Sequence, residues 1–179
     1  MNRCKCLVFG ILLLVSSLTV SCSTNSIRDY EQQGPAFQFE SFFNGQLEAT
    51  GFFQDRSGKV VRQIHCLMNA TWNGDEVTID EKFTYSDGAT ESRVWKIKKL
   101  ADGTYVGQAG DVDGEAKIQT AGVAFNMKYI LKLKVGENVI NVKMDDWMFK
   151  ANEKLVLNKT KMSKWGFHLG DVTLAIIKK

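Results

Sequence analysis

The stretch Gly122-Val-Ala-Phe-Asn-Met-Lys-Tyr-Ile-Leu-Lys-Leu-Lys-Val135 decides the fold. Apolar residues occupy every second position and lysines occupy three of the positions between them: Val123, Phe125, Met127, Tyr129, Leu131, Leu133 and Val135 against Lys128, Lys132 and Lys134. Successive side chains of a β-strand point to opposite faces of the sheet. The stretch therefore predicts a strand with one face in the core and the other in water.

The chain on both sides of this stretch repeats the pattern at a spacing of about ten residues. Asn73-Gly74, Asp87-Gly88 and Asp102-Gly103 separate several of the repeats, and such pairs are typical of tight hairpins. The predicted strands are Gln46–Gln54, Lys59–Trp72, Asp75–Tyr85, Thr90–Leu100, Gly103–Ala109, Gly114–Gln119, Gly122–Val135, Asn138–Phe149, Leu155–Ser163 and Phe167–Lys178. No segment shows a long helical period, so the domain is predicted to be all-β.

Short connections make sequential strands antiparallel neighbours, and closure into a barrel removes the exposed edges of such a sheet. We therefore predict an antiparallel up-and-down, lipocalin-like barrel of about 8–10 strands, with a two-sheet sandwich as the alternative. A barrel of about eight strands can hold one small ligand. Four aromatic residues are predicted to close one end of it: Phe37, Phe39, Phe42 and Phe43.

The N-terminus has the order of a secretory signal peptide: Arg3 and Lys5, an apolar stretch over 7–15, then small residues. Leu18-Thr-Val-Ser-Cys22 resembles the lipobox of bacterial lipoproteins; the alternative is an ordinary cleavage site beside a cysteine. We predict a signal peptide over 1–21, a lipidated tether over 22–38 beginning at Cys22, and the barrel over 39–179. Ser23 rather than Asp follows Cys22. By resemblance to lipoproteins of enterobacteria-like cells, this implies the outer membrane as the expected location.

Removal of residues 1–21 takes away Arg3 and Lys5 and no acidic residue, so the formal charge falls from +3 to +1. A balance so close to neutral argues against nucleic acid as a partner. Of the four cysteines, only Cys66 remains unmodified in the predicted mature chain. Its neighbour His65 lies on the opposite face of the predicted strand, so Cys66 is expected to be a buried thiol rather than a nucleophile.

Four predicted strands place one charged residue each on an otherwise apolar face: Arg62, Glu81, Arg93 and Asp146. One interpretation is a salt-bridged plug that fixes the strand register. The other is a polar cluster within an apolar cavity that binds the head group of an amphipathic ligand. On the first strand concerned, the same face is predicted to carry Val60, Ile64, Cys66, Met68 and Trp72.

Motifs of other chemistry are weak in this sequence. The two histidines, His65 and His168, lie far apart, and no spacing of Cys or His suits zinc. There is no Gly-x-Ser-x-Gly elbow and no phosphate-binding glycine loop. Asp111-Val-Asp-Gly-Glu115 lacks the further ligands of a calcium loop and indicates a turn. We therefore expect no metal, no cofactor and no enzymatic activity.

Six segments in order resemble the bacterial lipoprotein family known as domain of unknown function 3833: Phe53-Gln-Asp-Arg-Ser-Gly-Lys-Val60, Trp72-Asn-Gly74, Asp80-Glu-Lys-Phe83, Glu91-Ser-Arg-Val-Trp95, Asp145-Asp-Trp-Met148 and Met162-Ser-Lys-Trp-Gly166. The resemblance covers about residues 39–178. Genes of that family often neighbour those of a cyclopropane-fatty-acid synthase and a stress sigma-factor system, which implies a role in envelope lipid or stress physiology. The resemblance implies no particular reaction.

The first functional hypothesis is a non-enzymatic barrel, bound to the membrane through Cys22, that holds an apolar or amphipathic small molecule such as a fatty acid. Trp72, Trp95 and Tyr129 would line the cavity, and Arg62 or Arg93 would meet a carboxylate.

A second hypothesis is a filled barrel that docks an envelope partner through Trp147, Trp165 or the lysine face. A third makes Glu81 or Asp146 a general acid or base inside the barrel.

Overall fold

The computed structural model describes residues 25–179, which form one closed antiparallel β-barrel of ten strands. The strands are β1 (Gly45–Asp55), β2 (Val60–Asn73), β3 (Glu76–Tyr85), β4 (Thr90–Lys99), β5 (Tyr105–Gln108), β6 (Val112–Ala121), β7 (Ala124–Val135), β8 (Asn138–Asn152), β9 (Leu155–Lys164) and β10 (Phe167–Lys178). Each strand pairs with its neighbours in sequence, and β1 pairs with β10 to close the barrel. The predicted barrel is confirmed and the sandwich alternative is wrong.

The seam between β1 and β10 runs from Leu47 opposite Lys178 to Asp55 opposite Gly170. Two glycines permit this close approach. A Cβ atom on Gly51 would lie 1.9 Å from the Thr173 carbonyl oxygen, and one on Gly170 would lie 2.3 Å from the Gln54 carbonyl oxygen. Closure of the barrel therefore depends on residues without side chains at these two positions.

Aromatic residues plug one end of the barrel, as the sequence predicts. A short helix, α1 (Phe39–Phe42), crosses this end, and its Phe39 ring stacks on Phe125 of β7 at a centroid distance of 5.3 Å. The members of the plug are all buried: Phe37, Phe39, Phe42 and Phe43. The opposite end, formed by the turns that follow β1, β3, β5, β7 and β9, carries no comparable plug within residues 25–179.

The segment before the plug packs on the barrel, which corrects the predicted boundary between tether and domain. A 3-10 helix (Ile27–Tyr30) brings the Tyr30 ring to 5.6 Å from that of Trp147 and 5.2 Å from that of Phe149. The Phe37 amide donates a hydrogen bond to the Gly122 carbonyl oxygen at 2.6 Å. Residues from Tyr30 onward thus belong to the folded domain, because aromatic contacts outweigh the polar composition that suggested a tether.

A register shift between β1 and β2 changes one face that alternation predicts. The pairing of β1 with β2 shifts after Phe53, which pairs with Arg62, while Gln54 pairs with Val60. Val61 is the extra residue of this bulge. Val60 is predicted to face the interior, but it is 46% exposed. The shift between Asp113 and Lys117 inserts two residues into β6 and therefore leaves Val112, Ala116 and Ile118 on one buried face. β6 begins at Val112 rather than at the predicted Gly114.

The predicted signal peptide and the lipidation site at Cys22 lie outside the described residues. Within residues 25–179, no helix combines the length and the apolar character needed to cross a membrane.

Gly122 tests the docking of the N-terminal segment, because its Cβ would lie 1.8 Å from the Tyr30 carbonyl oxygen and its φ is +48°. Gly74 is a matched control, with φ +60° and open space around its Cβ position. Gly74→Ala is expected to cost about 1 kcal/mol of unfolding free energy from the backbone alone, and Gly122→Ala at least about 2 kcal/mol. Urea unfolding measures both; equal losses would contradict the docked segment.

Candidate functional site

The barrel encloses a cavity of about 480 Å³. Phe39, Phe43 and Phe125 form its floor, and Arg62 and Asp87 lie at its mouth, beside the turns after β1 and β3. The wall is mostly apolar and includes Ile64, Met68, Met127, Leu131, Met144 and Leu174. A volume of this size is typical of pockets that enclose one small molecule. The interior is therefore not filled by side chains, which argues against the filled-barrel hypothesis.

Arg93 is the central cation of the cavity. Its guanidinium binds Asp111 with two nitrogens: Nε lies 2.9 Å from Oδ2 and 3.1 Å from Oδ1, and Nη2 lies 2.7 Å from Oδ2. Its third nitrogen, Nη1, lies 3.6 Å from Oε2 of Glu81, which stands directly opposite on β3. Forked contacts of this kind are the strongest that arginine makes, so Asp111 largely neutralises it.

Glu81 is left with unused hydrogen-bonding capacity. Its side chain is only 14% exposed, it lines the cavity, and its Oε2 accepts no hydrogen bond from residues 25–179. Burial raises the pKa of this carboxyl to about 7, although the nearby Arg93 charge opposes the rise. Near neutral pH the group can therefore donate a proton to a molecule in the cavity or accept one from it.

Asp146 is the second buried carboxyl of the cavity wall. Burial raises its pKa to about 6, while hydrogen bonds from Thr160 and Asn158 favour the charged form. The Asn158 amide nitrogen donates to Oδ1 of Asp146 and also to the Trp147 carbonyl oxygen at 3.1 Å. Asp146 therefore accepts hydrogen bonds from β9, whereas Oε2 of Glu81 has no hydrogen-bond partner among residues 25–179.

Arg62 lies apart from this group, at the mouth. Its Nη2 donates to Oδ1 of Asp87 at 3.0 Å, and its guanidinium lies 3.6 Å above the Tyr85 ring. The four charged residues predicted to share the interior thus do not form one cluster. Both arginines already bind carboxylates, which corrects the expectation that Arg62 or Arg93 is available to a ligand carboxylate.

The three aromatic residues proposed as cavity lining occupy two different places. Trp95 and Tyr129 are buried, line the cavity and meet edge to face at a centroid distance of 5.3 Å. Trp72 instead packs against the edge of Phe39 and donates its indole N–H to the Phe43 carbonyl oxygen at 2.8 Å. Trp72 is therefore part of the plug, and its predicted place in the lining is wrong.

Sequence reasoning missed three polar partners in the interior: Asp111, Asn158 and Thr160. The last two share an inward face of β9 with Val156 and Met162, so alternation was sufficient to find them. Asp111 lies in the turn between β5 and β6, where no alternation applies. Among the described residues that line the cavity, the only cations are Arg93 and, at the mouth, Arg62. Because Asp111 pairs with Arg93, Glu81 and Asp146 have no cation of their own.

Cys66 is a buried thiol, as predicted. Its pKa is raised to about 12, first by burial and then by the charge of Glu81, so it carries no thiolate at neutral pH. His65 points outward and lies 2.7 Å from Glu48. Within residues 25–179, no group of three His, Cys, Asp or Glu side chains is arranged to hold a metal ion.

The fold and cavity define the class of protein: a lipocalin-like β-barrel with an interior suited to a small molecule. The chain belongs to the family described as "Protein of unknown function (DUF3833)", whose model matches residues 16–178. This confirms the family resemblance seen in the sequence. No curated protein matches the chain.

Among solved structures, the chain is similar to the S-type phycobiliprotein lyase CPES from Guillardia theta. The TM-score is 0.55 at 10% sequence identity, and the match covers 87% of this chain and 98% of that one. This likeness supports the lipocalin-like fold. It also corrects the prediction that the chain is not an enzyme, because a lyase is built on the same fold and the absence of familiar motifs gives no ground for excluding catalysis.

The pKa of Glu81 predicts a pH-dependent stability. Because it is raised from 4.5 to about 7, the folded state binds the proton more tightly, and stability falls as the pH rises through that window. Glu81→Gln removes the buried charge, so we expect a gain of about 1–3 kcal/mol at about pH 8 and little change at about pH 4.5.

Urea unfolding at the two pH values measures this effect. The matched control is Glu76→Gln, on the same strand but exposed, which is expected to change stability by less than about 0.5 kcal/mol at both. An equal effect of Glu81→Gln at both pH values would show that its carboxyl is ordinarily solvated.

Proposed function

We propose that this protein is an envelope lipoprotein, anchored by acyl chains on Cys22, whose barrel binds one apolar or amphipathic small molecule. The observation that carries the proposal is the apolar cavity of about 480 Å³, open at one end and containing a carboxyl oxygen without a hydrogen-bond partner among the described residues. Transfer of an apolar molecule from water to such a cavity is favourable, because its apolar surface is removed from water. The unsatisfied oxygen of Glu81 gives it a point of orientation.

The interior charges favour a particular kind of head group. Arg93 is held by Asp111, and Glu81 and Asp146 are both acidic, so a ligand carboxylate at this depth would meet like charges. A neutral donor, such as a hydroxyl or a protonated carboxyl, satisfies Oε2 of Glu81 instead. The ligand class is therefore a long-chain aliphatic compound with a neutral hydrogen-bonding end.

Cavity binding is tested with 1-hexadecanol and hexadecanoate as probes. Ala49 is buried and lines the cavity, and Thr50 beside it on β1 is exposed, so Ala49→Trp and Thr50→Trp add the same bulk inside and outside. We expect Ala49→Trp to weaken hexadecanol binding by about tenfold or more and Thr50→Trp to leave it unchanged. At pH 8 the alcohol should bind more tightly than the carboxylate.

Titration calorimetry gives the affinities, and thermal unfolding without probe shows whether each variant is folded. If the wild-type protein shows no stabilisation by either probe and yields no lipid on extraction, the proposed binding function is refuted.

The anchor rests on the order of residues before the barrel: basic Arg3 and Lys5, the apolar stretch over 7–15, and Leu18-Thr-Val-Ser-Cys22. The family match begins at residue 16 and so includes Cys22. Diacylglycerol on this thiol, with a further acyl chain on the new N-terminus, is sufficient for stable attachment. Ser23 favours the outer membrane as the destination.

Labelling with palmitate in bacterial cells tests the anchor. Cys22→Ser is expected to abolish both incorporation and recovery in the membrane fraction, because it removes the acylated thiol. Cys66→Ser, the matched control at the buried thiol, should retain both. Incorporation that survives in Cys22→Ser would place the acyl chain elsewhere and contradict the proposed anchor.

A further inference from the structure

Among residues 25–179, the large exposed hydrophobic side chains at the mouth of the barrel lie on one side of it. Five hairpins surround the mouth, and three of them are consecutive around the barrel: those joining β1 to β2, β9 to β10 and β7 to β8. We call these three hairpins, residues 55–61, 163–168 and 134–139, the apolar rim. Six of the eleven large exposed hydrophobic side chains among the described residues lie on it, so they form a patch rather than a scatter: Trp165, Phe167, Val139, Val135, Val61 and Val60.

Trp165 is the most exposed of these residues, at 86%, and its backbone is strained. It occupies the apex of the β9–β10 hairpin with φ +51°, a left-handed conformation that suits Asn or Gly and costs a tryptophan about 1 kcal/mol. Its ring meets only the Lys164 ammonium, at 4.7 Å, among the aromatic and cation–π contacts of the described residues. The fold gains little from a tryptophan here, so a contact outside the chain accounts for it better.

Charge separates the two sides of the mouth in the same way. The apolar rim carries four basic residues, Arg56, Lys59, Lys134 and Lys164, and two acidic ones, Asp55 and Glu137. The other two hairpins, over 86–91 and 109–113, carry Asp87, Glu91, Asp111 and Asp113 and no basic residue. The surface that fits the rim is therefore apolar with an anionic boundary, as in a bilayer containing anionic phospholipids.

The N-terminal segment leaves the barrel on this same side. Asn25, the first described residue, lies with Trp147, Lys161 and His168 on the outer wall of β8–β10, and His168 adjoins the β9–β10 hairpin. Cys22 is three residues earlier, which limits its reach to about 11 Å from Asn25. An anchor on Cys22 thus attaches close to the apolar rim.

We propose that the apolar rim inserts into the bilayer that holds the anchor, so that the mouth of the cavity faces the membrane and the ligand passes directly between acyl chains and barrel. This inference rests on the proposed function, since it takes the anchor on Cys22 and the ligand cavity as given. Trp165 and Phe167 would lie at the depth of the lipid head groups, where aromatic side chains are stabilised.

Quenching of tryptophan emission by brominated phospholipids tests the proposal. The full lipidated protein is reconstituted into vesicles of phosphatidylethanolamine with about a quarter phosphatidylglycerol, with or without bromine on the acyl chains. We expect bromine to quench part of the wild-type emission and this quenched part to disappear in Trp165→Phe, which removes the fluorophore and keeps an apolar ring. Trp147→Phe, on the outer wall under Tyr30, should retain it.

Flotation of the same vesicles separates failure of the rim from failure of the anchor. Protein that floats but shows equal quenching in the wild type and Trp165→Phe overturns the rim proposal and leaves the anchor standing. Protein that does not float overturns both. A third outcome is that an aqueous quencher reaches Trp165 in the vesicles and loses access only when envelope proteins are added. This outcome overturns the rim proposal in favour of a protein partner. Absence of lipid in the cavity refutes the binding function and leaves the quenching result unaffected.

Discussion

Closure of the sheet between its first and last strands is the constraint on which the rest of this structure depends. It requires β1 and β10 to approach at Gly51 and Gly170, where a single methyl group would meet backbone oxygen. Closure leaves the sheet without an edge and turns one face of every strand toward a common interior. The plug around Phe39 then makes that interior a cavity with one mouth.

Enclosure also explains the electrostatics of the cavity. Inside the barrel a charge cannot be solvated by bulk water, so it needs a partner or changes its pKa. Arg93 obtains Asp111, and Asp146 obtains Asn158 and Thr160, whereas Glu81 has a guanidinium at 3.6 Å and one oxygen without a hydrogen bond from the described residues. The partial satisfaction of Glu81 makes it the group in the cavity most ready to interact with a ligand.

Alternation predicted the strands well, because each strand has one buried face and a buried face produces an apolar residue at every second position. It placed Glu81, Arg93 and Asp146 inside, yet failed for Val60, where a bulge shifts the face. It could not find Asp111, which reaches Arg93 from a turn, nor separate Trp72 in the plug from Trp95 in the wall. Alternation gives the face of the sheet on which a side chain lies but not its position along the barrel axis.

The docked N-terminal segment bears on how an anchored barrel is oriented. A loose tether of residues 22–38 would let the mouth face any direction, whereas contacts of Tyr30 with Trp147 and Phe149 fix the segment to the outer wall. Only two residues, Ser23 and Thr24, separate the proposed anchor on Cys22 from the described part of the chain beside this wall. A link so short restricts the angle between barrel and membrane. The segment lies on the outer wall of β8–β10, next to the β9–β10 hairpin that carries Trp165. A short link at this place therefore favours an orientation in which that hairpin faces the lipid.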